Sequence, residues 1–263
     1  MKSVLHKAAK EEILDEPFPH IVIRDALEDD LYERLARAWP RPEIILDGRE
    51  PQSNRNYRYC ARDTLSDERI SPLWRDFCAY HTSRDFYLEV ISLFADRITS
   101  LHQGLESKFG KRLEDLSTSI RFKEEFRDIA LECQFTYTAP VSEPSRSVGP
   151  HIDREAALYA GMLYFRLDED DSTGGDLEFY SFKGAPAYFK ESRFAPDDSV
   201  RLEKVIEYRK NTLVLFLHSI NSAHGVSMRT VTKYPRLNVN FVGEFQSNIF
   251  DVSRYQTVTS SVS

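Results

Sequence analysis

The sequence predicts an α+β fold in which helices come first and are followed by strands forming a barrel or jelly roll, with the helices packed outside it. Three observations carry this expectation. Up to about residue 130 the apolar residues recur at helical spacing, and beyond it they alternate with a period of two. The strand-like runs are separated by turn-forming clusters at 140–150, 168–175, 184–196 and 219–222. No internal repeat or linker divides the 263 residues, so one domain is expected over 1–263, with a helical support region over about 1–130, a β core over about 131–246 and a polar tail at 251–263.

The elements follow in order. Pro19-His20-Ile21-Val22-Ile23 is an apolar, β-branched run and reads as a strand. Leu27, Leu31 and Leu35 then recur every four residues, with Asp29 and Asp30 in the first turn, where carboxylates complement the helix dipole, and Pro40 after the end. Trp74, Phe77 and Cys78 mark a shorter helix over 72–80. Phe86, Val90, Phe94, Ile98, Leu101 and Leu105 advance by fours and threes along one face, predicting a long helix over 84–109 that Gly110 stops. After residue 130, Cys133, Phe135 and Tyr137 alternate with Gln134, Thr136 and Thr138. Further strands are expected at 157–167, 176–182, 205–208, 212–217 and 237–245.

Composition narrows the function classes. With 41% hydrophobic and 29% charged residues the chain can build a sizeable core, and no apolar run approaches the roughly 18 residues a membrane helix needs. The net charge of −7, with the acidic residues scattered, counts against nucleic acid as a partner. Residues 1–12 are rich in Lys and Glu and hold no apolar stretch, so no secretory signal is expected. Cys60, Cys78 and Cys133 are odd in number and form no CxxC pattern, which fits reduced thiols in a cytoplasm. A cytoplasmic protein with neither membrane nor nucleic-acid partners is the expectation.

The chemistry-bearing residues lie in the second half. His151-Ile152-Asp153 is an H-x-D, which chance alone supplies roughly half a time in a chain with 7 His and 20 Asp. On a strand its two outer members face the same way, so an imidazole nitrogen and a carboxylate oxygen would converge. Far downstream, Asn221-Ser222-Ala223-His224-Gly225-Val226 offers a second histidine just past the apolar strand at 212–217. Two histidines and one carboxylate on one face of a metal leave positions open, an arrangement suited to non-haem Fe(II). Arg236 opens the next strand, with Asn238 and Asn240 on its inner face. A guanidinium buried there needs a carboxylate partner, and a dicarboxylate cosubstrate supplies one. Arg229 and Lys233 are the other nearby cations.

This combination resembles the Fe(II)/2-oxoglutarate-dependent oxygenases, specifically the bacterial prolyl-4-hydroxylase-like branch. Gly174-Gly175-Asp176-Leu177-Glu178-Phe179-Tyr180 is similar to a strand of that branch, as are the run from Asn211 through Val226 to its distal HGV and the opening from Pro17 to Ile23. The resemblance implies a double-stranded β-helix, with His151, Asp153 and His224 binding Fe(II) and Arg236 holding the distal carboxylate of 2-oxoglutarate. Asn238 stands where the family usually has Ser or Thr, and it can still donate to that carboxylate; Tyr137 and Tyr164 lie on strands where the family often places a tyrosine near the cosubstrate. The implied reaction consumes dioxygen and hydroxylates a small molecule, an amino acid or a carrier-bound metabolite. Asp153 favours hydroxylation over halogenation, since the related halogenases lack this carboxylate. Two alternatives remain: an iron oxygenase that does without 2-oxoglutarate, against which Arg236 argues, and a non-enzymatic ligand-binding barrel with a vestigial metal site, against which the intact triad argues.

The remaining candidates have plainer readings. Gly174 and Gly175 are expected to be turn glycines, and His218 a packed or solvent-facing histidine. His20, His81 and His102 read as structural. Segments 141–148 and 183–202 are expected to shape the pocket, the latter carrying Arg193 and Phe194. Arg55, Arg58 and Arg62 with Tyr57 and Tyr59 read as a solvated basic face.

Overall fold

The computed structural model describes residues 2–258 with the exception of 124. Its first half contains β1 (His20–Arg24), α1 (Asp29–Arg37), α2 (Pro42–Leu46), β2 (Asn56–Tyr59), α3 (Ala61–Ser66), α4 (Pro72–His81), α5 (Arg84–Leu101), α6 (Leu105–Phe109) and β3 (Thr118–Ile120). The second half contains β4 (Ile129–Thr138), β5 (Ala157–Tyr164), β6 (Leu177–Phe182), β7 (Tyr188–Phe189), β8 (Val200–Ile206), β9 (Thr212–Leu217), β10 (His224–Val226), β11 (Arg236–Phe245) and β12 (Gln256–Val258). Helices are concentrated in the first half and the longer strands in the second, as predicted, while β2 and β3 were not expected; the result is a mixed α and β molecule with a sheet-rich core.

Seven strands make the main sheet, ordered β1-β9-β5-β11-β4-β2 with β3 beside β4; β10-β6-β8 form a second sheet and β12-β7 a small third one. The period of two decides what each face of the main sheet does. Cys133, Phe135 and Tyr137 of β4, with Leu237, Val239 and Phe241 of β11, pack into one apolar cluster with Trp74, Phe77, Phe86, Val90, Phe94 and Ile98 of the helices. The residues between them, including Gln134, Thr136, Asn238 and Asn240, face the opposite way and line a cavity. Between the two larger sheets a second cluster joins Ala160, Val214 and Phe216 to Leu177, Phe179 and Ile206.

The helices start where short polar side chains cap them. Ser71 accepts from the Trp74 amide at the start of α4, and Ser83 from the Phe86 amide at the start of α5. The long helix expected over 84–109 is two helices, because Gly104 adopts φ +81° and His102 turns away to bond the His218 carbonyl at 2.8 Å. Leu105 is still buried, so the apolar stripe runs across the break and concealed it. Of the expected tail, residues 251–258 include β12, which pairs in parallel with β7, while 259–263 lie outside the described residues. All three cysteines are free thiols. Among the described residues no helix is long and apolar enough to cross a membrane.

Candidate metal centre

His151 and His224 are brought together by backbone pairing. Each donates its amide to the other's carbonyl at 2.8 Å, a single antiparallel bridge. His224 is also the first residue of β10, held opposite Phe179 of β6. The strand expected to carry His151 and Asp153 is absent, since His151 is an isolated bridge residue and Asp153 follows in irregular chain. The pair still faces one point. Ile152 between them is buried in a third apolar cluster with Tyr180, Tyr188 and Val200, which sends its neighbours the other way.

One ligand atom from each of His151, Asp153 and His224 lies within 4.8 Å of the others. His151 Nδ1 lies 2.9 Å from the Gly149 carbonyl and His224 Nδ1 3.0 Å from that of Ser222. A carbonyl only accepts, so each Nδ1 carries the proton and each Nε2 presents its lone pair. Those nitrogens lie 3.7 Å and 4.0 Å from the Asp153 carboxylate oxygens. Burial, and next the neighbouring His151, lowers the pKa of His224 to about 3, so this imidazole stays neutral. Burial alone would raise the Asp153 carboxyl; the His151, His218 and His224 rings gathered around it prevail and hold it well below the usual carboxylate range. Two imidazole Nε2 atoms and an ionised carboxylate on one side of a point form a set of donors that fits a divalent transition metal.

The triad opens into a cavity of about 570 Å³ that also reaches Arg236. Arg236 is buried, with Nε donating to the Gly175 carbonyl at 2.7 Å and Nη1 to Asn238 Oδ1 at 3.1 Å. Its guanidinium carbon lies 5.0 Å from the ring centres of both Tyr164 and Tyr208, two rings that meet edge to face beside it. Its Nη2 has no partner, and no carboxylate lies within 4 Å among the described residues. A buried cation with an unused donor calls for an oxyanion from outside the chain. Arg229 differs in this respect, since Asp170 neutralises it at 2.8 Å. A hollow of about 590 Å³ elsewhere, beside Phe109 and Asp128, is lined by no histidine or cysteine.

No family model matches this chain, and no curated protein matches its sequence. Solved structures do match. A prolyl 4-hydroxylase from Phytophthora capsici superposes with a TM-score of 0.52 at 14% identity, over 92% of this chain and 64% of that one. The fold is that of a prolyl 4-hydroxylase. This chain thus spans less than two thirds of that relative's length. A Pseudomonas putida prolyl-4-hydroxylase is matched over 87% of this chain and 93% of its own at 17% identity and a TM-score of 0.43. The dioxygenase for auxin oxidation 1 from Arabidopsis thaliana, solved as a binary complex with 2-oxoglutarate, is matched over 90% and 87% at 13% identity and a TM-score of 0.48.

Within this prolyl-4-hydroxylase fold most of the expected site residues meet. His151, Asp153, His224, Arg236 and Asn238 line one cavity, and Tyr164 lies under Arg236. Asn238 is occupied in holding Arg236 on one side and Asn240 on the other, so its service to the site is to orient the guanidinium. Tyr137 is a correction. It projects from the opposite face of β4 into the helical core, where Tyr57 and Glu43 are its neighbours, so it does not reach the cavity. Gly174 and Gly175 have the positive φ expected of them, +76° and +74°, but lie in irregular chain ahead of β6 and not in a turn, and Gly175 adds the carbonyl that anchors Arg236. His218 was underrated by the sequence reading. It is fully buried, and its Nε2 lies 3.3 Å from Asp153 Oδ2 without hydrogen-bond geometry, an imidazole packed against that carboxylate. The signal available was its place at the end of the strand leading to His224. Of the pocket-shaping segments, Val148 and the stretch 191–194 do line the cavity.

Proposed function

We propose that this chain is a non-haem Fe(II)- and 2-oxoglutarate-dependent dioxygenase that hydroxylates a small molecule, an amino acid or a carrier-bound metabolite, built as one unit over 1–263 on a double-stranded β-helix. The observation that carries the reading is Arg236, buried with an unpartnered Nη2 in the cavity that holds the triad. His151, Asp153 and His224 would hold the metal through two Nε2 atoms and one carboxylate oxygen. Arg236 would grip the far carboxylate of 2-oxoglutarate through its free edge, its other donors being already held by Gly175 and Asn238. Iron so held, with 2-oxoglutarate and dioxygen, supplies the oxidation of a substrate C–H bond to an alcohol, with succinate and CO2 as co-products.

The protein's own part is to position, to neutralise and to exclude water. The dication and Arg236 together balance Asp153 and the doubly charged cosubstrate, so the filled pocket is formally neutral and tolerates burial. Tyr164 and Tyr208 pack against the guanidinium and keep it dry, and Phe194, whose ring centroid stands 5.4 Å from that of His151, shields the solvent side.

The test is an anaerobic titration of Fe(II) followed by 2-oxoglutarate, read by the visible charge-transfer band of the chelate, and then a substrate screen read by succinate release. One iron per chain and a saturable band are expected. Iron binding with no band at any 2-oxoglutarate concentration would favour an iron oxygenase that uses no such cosubstrate, and no iron binding would leave a ligand-binding protein.

A further inference from the structure

Arg58 and Thr136 form a second polar station in the same cavity, away from Arg236. They are direct partners in the β2–β4 register, and Thr136 is in turn opposite Asn238 of β11. Residues directly opposite in an antiparallel pair share a face, and both Arg58 and Thr136 line the cavity. The solvated basic face expected around residue 58 is therefore divided, with Arg58 turned towards the cavity and Tyr57 into the helical core.

The other arginines around this opening are engaged. Arg121 and Arg154 share Glu244 at 2.7 Å and 3.0 Å, and Arg193 lies 3.9 Å from Glu155. Among the described residues, Arg58 has no carboxylate within 4 Å and no side-chain hydrogen bond. Beside it Thr136 is 4% exposed, yet its Oγ1 is buried with no hydrogen-bond partner. An orphan hydroxyl costs stability unless a ligand uses it, and next to a free guanidinium the ligand that uses both is an oxyanion. Arg236 cannot be serving the same anion. It is drawn towards β5 and β6 by Tyr164 and the Gly175 carbonyl, whereas Arg58 stands on β2, two strands beyond β11 on the other side and so about 10 Å away across the sheet.

We infer that Arg58 and Thr136 bind an anionic group of the substrate, a carboxylate or a phosphate, so that the molecule acted on is an acid. This deepens the oxygenase reading and rests on it, since it takes the cavity to be the substrate pocket. The station itself needs no metal.

The test is calorimetric titration of the full chain, with and without Fe(II) and 2-oxoglutarate under nitrogen, using matched probes: L-leucine against L-leucinamide, and glycerol phosphate against glycerol. In at least one pair the member that carries the carboxylate or phosphate is expected to bind roughly tenfold or more tighter than the member that lacks it. The pair that shows the preference distinguishes carboxylate from phosphate. Arg58→Gln should abolish the preference and Thr136→Val should reduce it, with the Kd for 2-oxoglutarate unchanged in both. Arg58 is an exposed side chain, so its variant should melt with the parent. No preference in either pair, a preference that survives Arg58→Gln, or a loss of 2-oxoglutarate affinity in Arg58→Gln as large as the loss for the probe would each overturn the inference. Anion preference in a protein that binds neither iron nor 2-oxoglutarate would keep this inference and sink the oxygenase reading; the reverse pattern would do the opposite.

Discussion

Truncating Arg236 is the most direct way to probe the pocket. In the parent, Nε and Nη1 are fixed at 2.7 Å and 3.1 Å to Gly175 and Asn238, which leaves Nη2 aimed at whatever occupies the cavity. Arg236→Ala removes the charge and the donor together and leaves a carboxylate of the bound cosubstrate desolvated and unpaired. That costs roughly 2–5 kcal/mol, or roughly 30- to 4,000-fold in affinity. Arg236→Lys keeps the charge but loses the planar fork, and the Gly175 carbonyl competes for the ammonium, so it should fall between parent and Ala. The assay is calorimetric titration of 2-oxoglutarate into each Fe(II)-loaded protein under nitrogen, with iron content measured alongside. Iron should stay at one per chain throughout, because Arg236 is not among the three candidate ligands. Equal Kd values in parent and Arg236→Ala would refute the argument and turn attention to Arg229. That residue already has Asp170, so its removal should lower stability with little effect on Kd.

Three further outcomes are expected. His224→Ala should lose stoichiometric iron, while His218→Ala, which removes only an imidazole 3.3 Å from the Asp153 carboxylate, should keep iron at roughly 10- to 100-fold weaker affinity; iron retained at full stoichiometry by His224→Ala would mean the ligand is misassigned. Glu132 is buried, with Oε2 unpartnered and its pKa pushed up by burial to about 6, so the folded state holds its proton more tightly than the unfolded chain does. Stability contributed by this raised carboxyl is lost as pH climbs from about 4.5 to about 6. Glu132→Gln, which keeps the acceptor for the Ala61 amide, should gain up to about 2 kcal/mol over the parent above that window and nothing below it; urea midpoints that run parallel from pH 4 to pH 8 would contradict this. A Cβ on Gly174 would lie 1.7 Å from the Met228 carbonyl oxygen at φ +76°, so Gly174→Ala should destabilise by about 2 kcal/mol or more, whereas Gly184→Ala, with nothing within 4 Å, should be near neutral by the same denaturation assay.

The candidate triad was legible because its flanks are: an H-x-D, a glycine after the distal histidine, and an arginine opening the next strand. The helix and strand order was legible because long apolar periods survive in the sequence even where a helix breaks, as at Gly104. Alternation says which residues share a face but not which face turns inward. Tyr137 was expected beside the cosubstrate from the family resemblance alone, yet the apolar members of β4 pack on the helices and Gln134 and Thr136 face the cavity. His218 could not be weighed, since its meeting with Asp153 spans 65 residues of chain and depends on how β9 ends. Arg58 was passed over for a similar reason, because β2 is only four residues long and too short to show a period. Strands β7 and β10, with two and three residues, owe their existence to the segments they pair with and leave no local signature.

The reciprocal amide bonds between His151 and His224 have a kinetic meaning. Their spacing is set by the backbone, as rungs are set by a ladder, and not by whatever sits between the imidazoles. Of the three candidate ligands, Asp153 alone stands outside that bridge, and its carboxylate already leans on His218. Capturing a metal here therefore resembles filling a socket more than closing a clamp, and little conformational entropy remains to be lost. The amides of His151 and His224 should resist hydrogen exchange equally well with and without metal, and one ion could replace another without any strand coming unzipped.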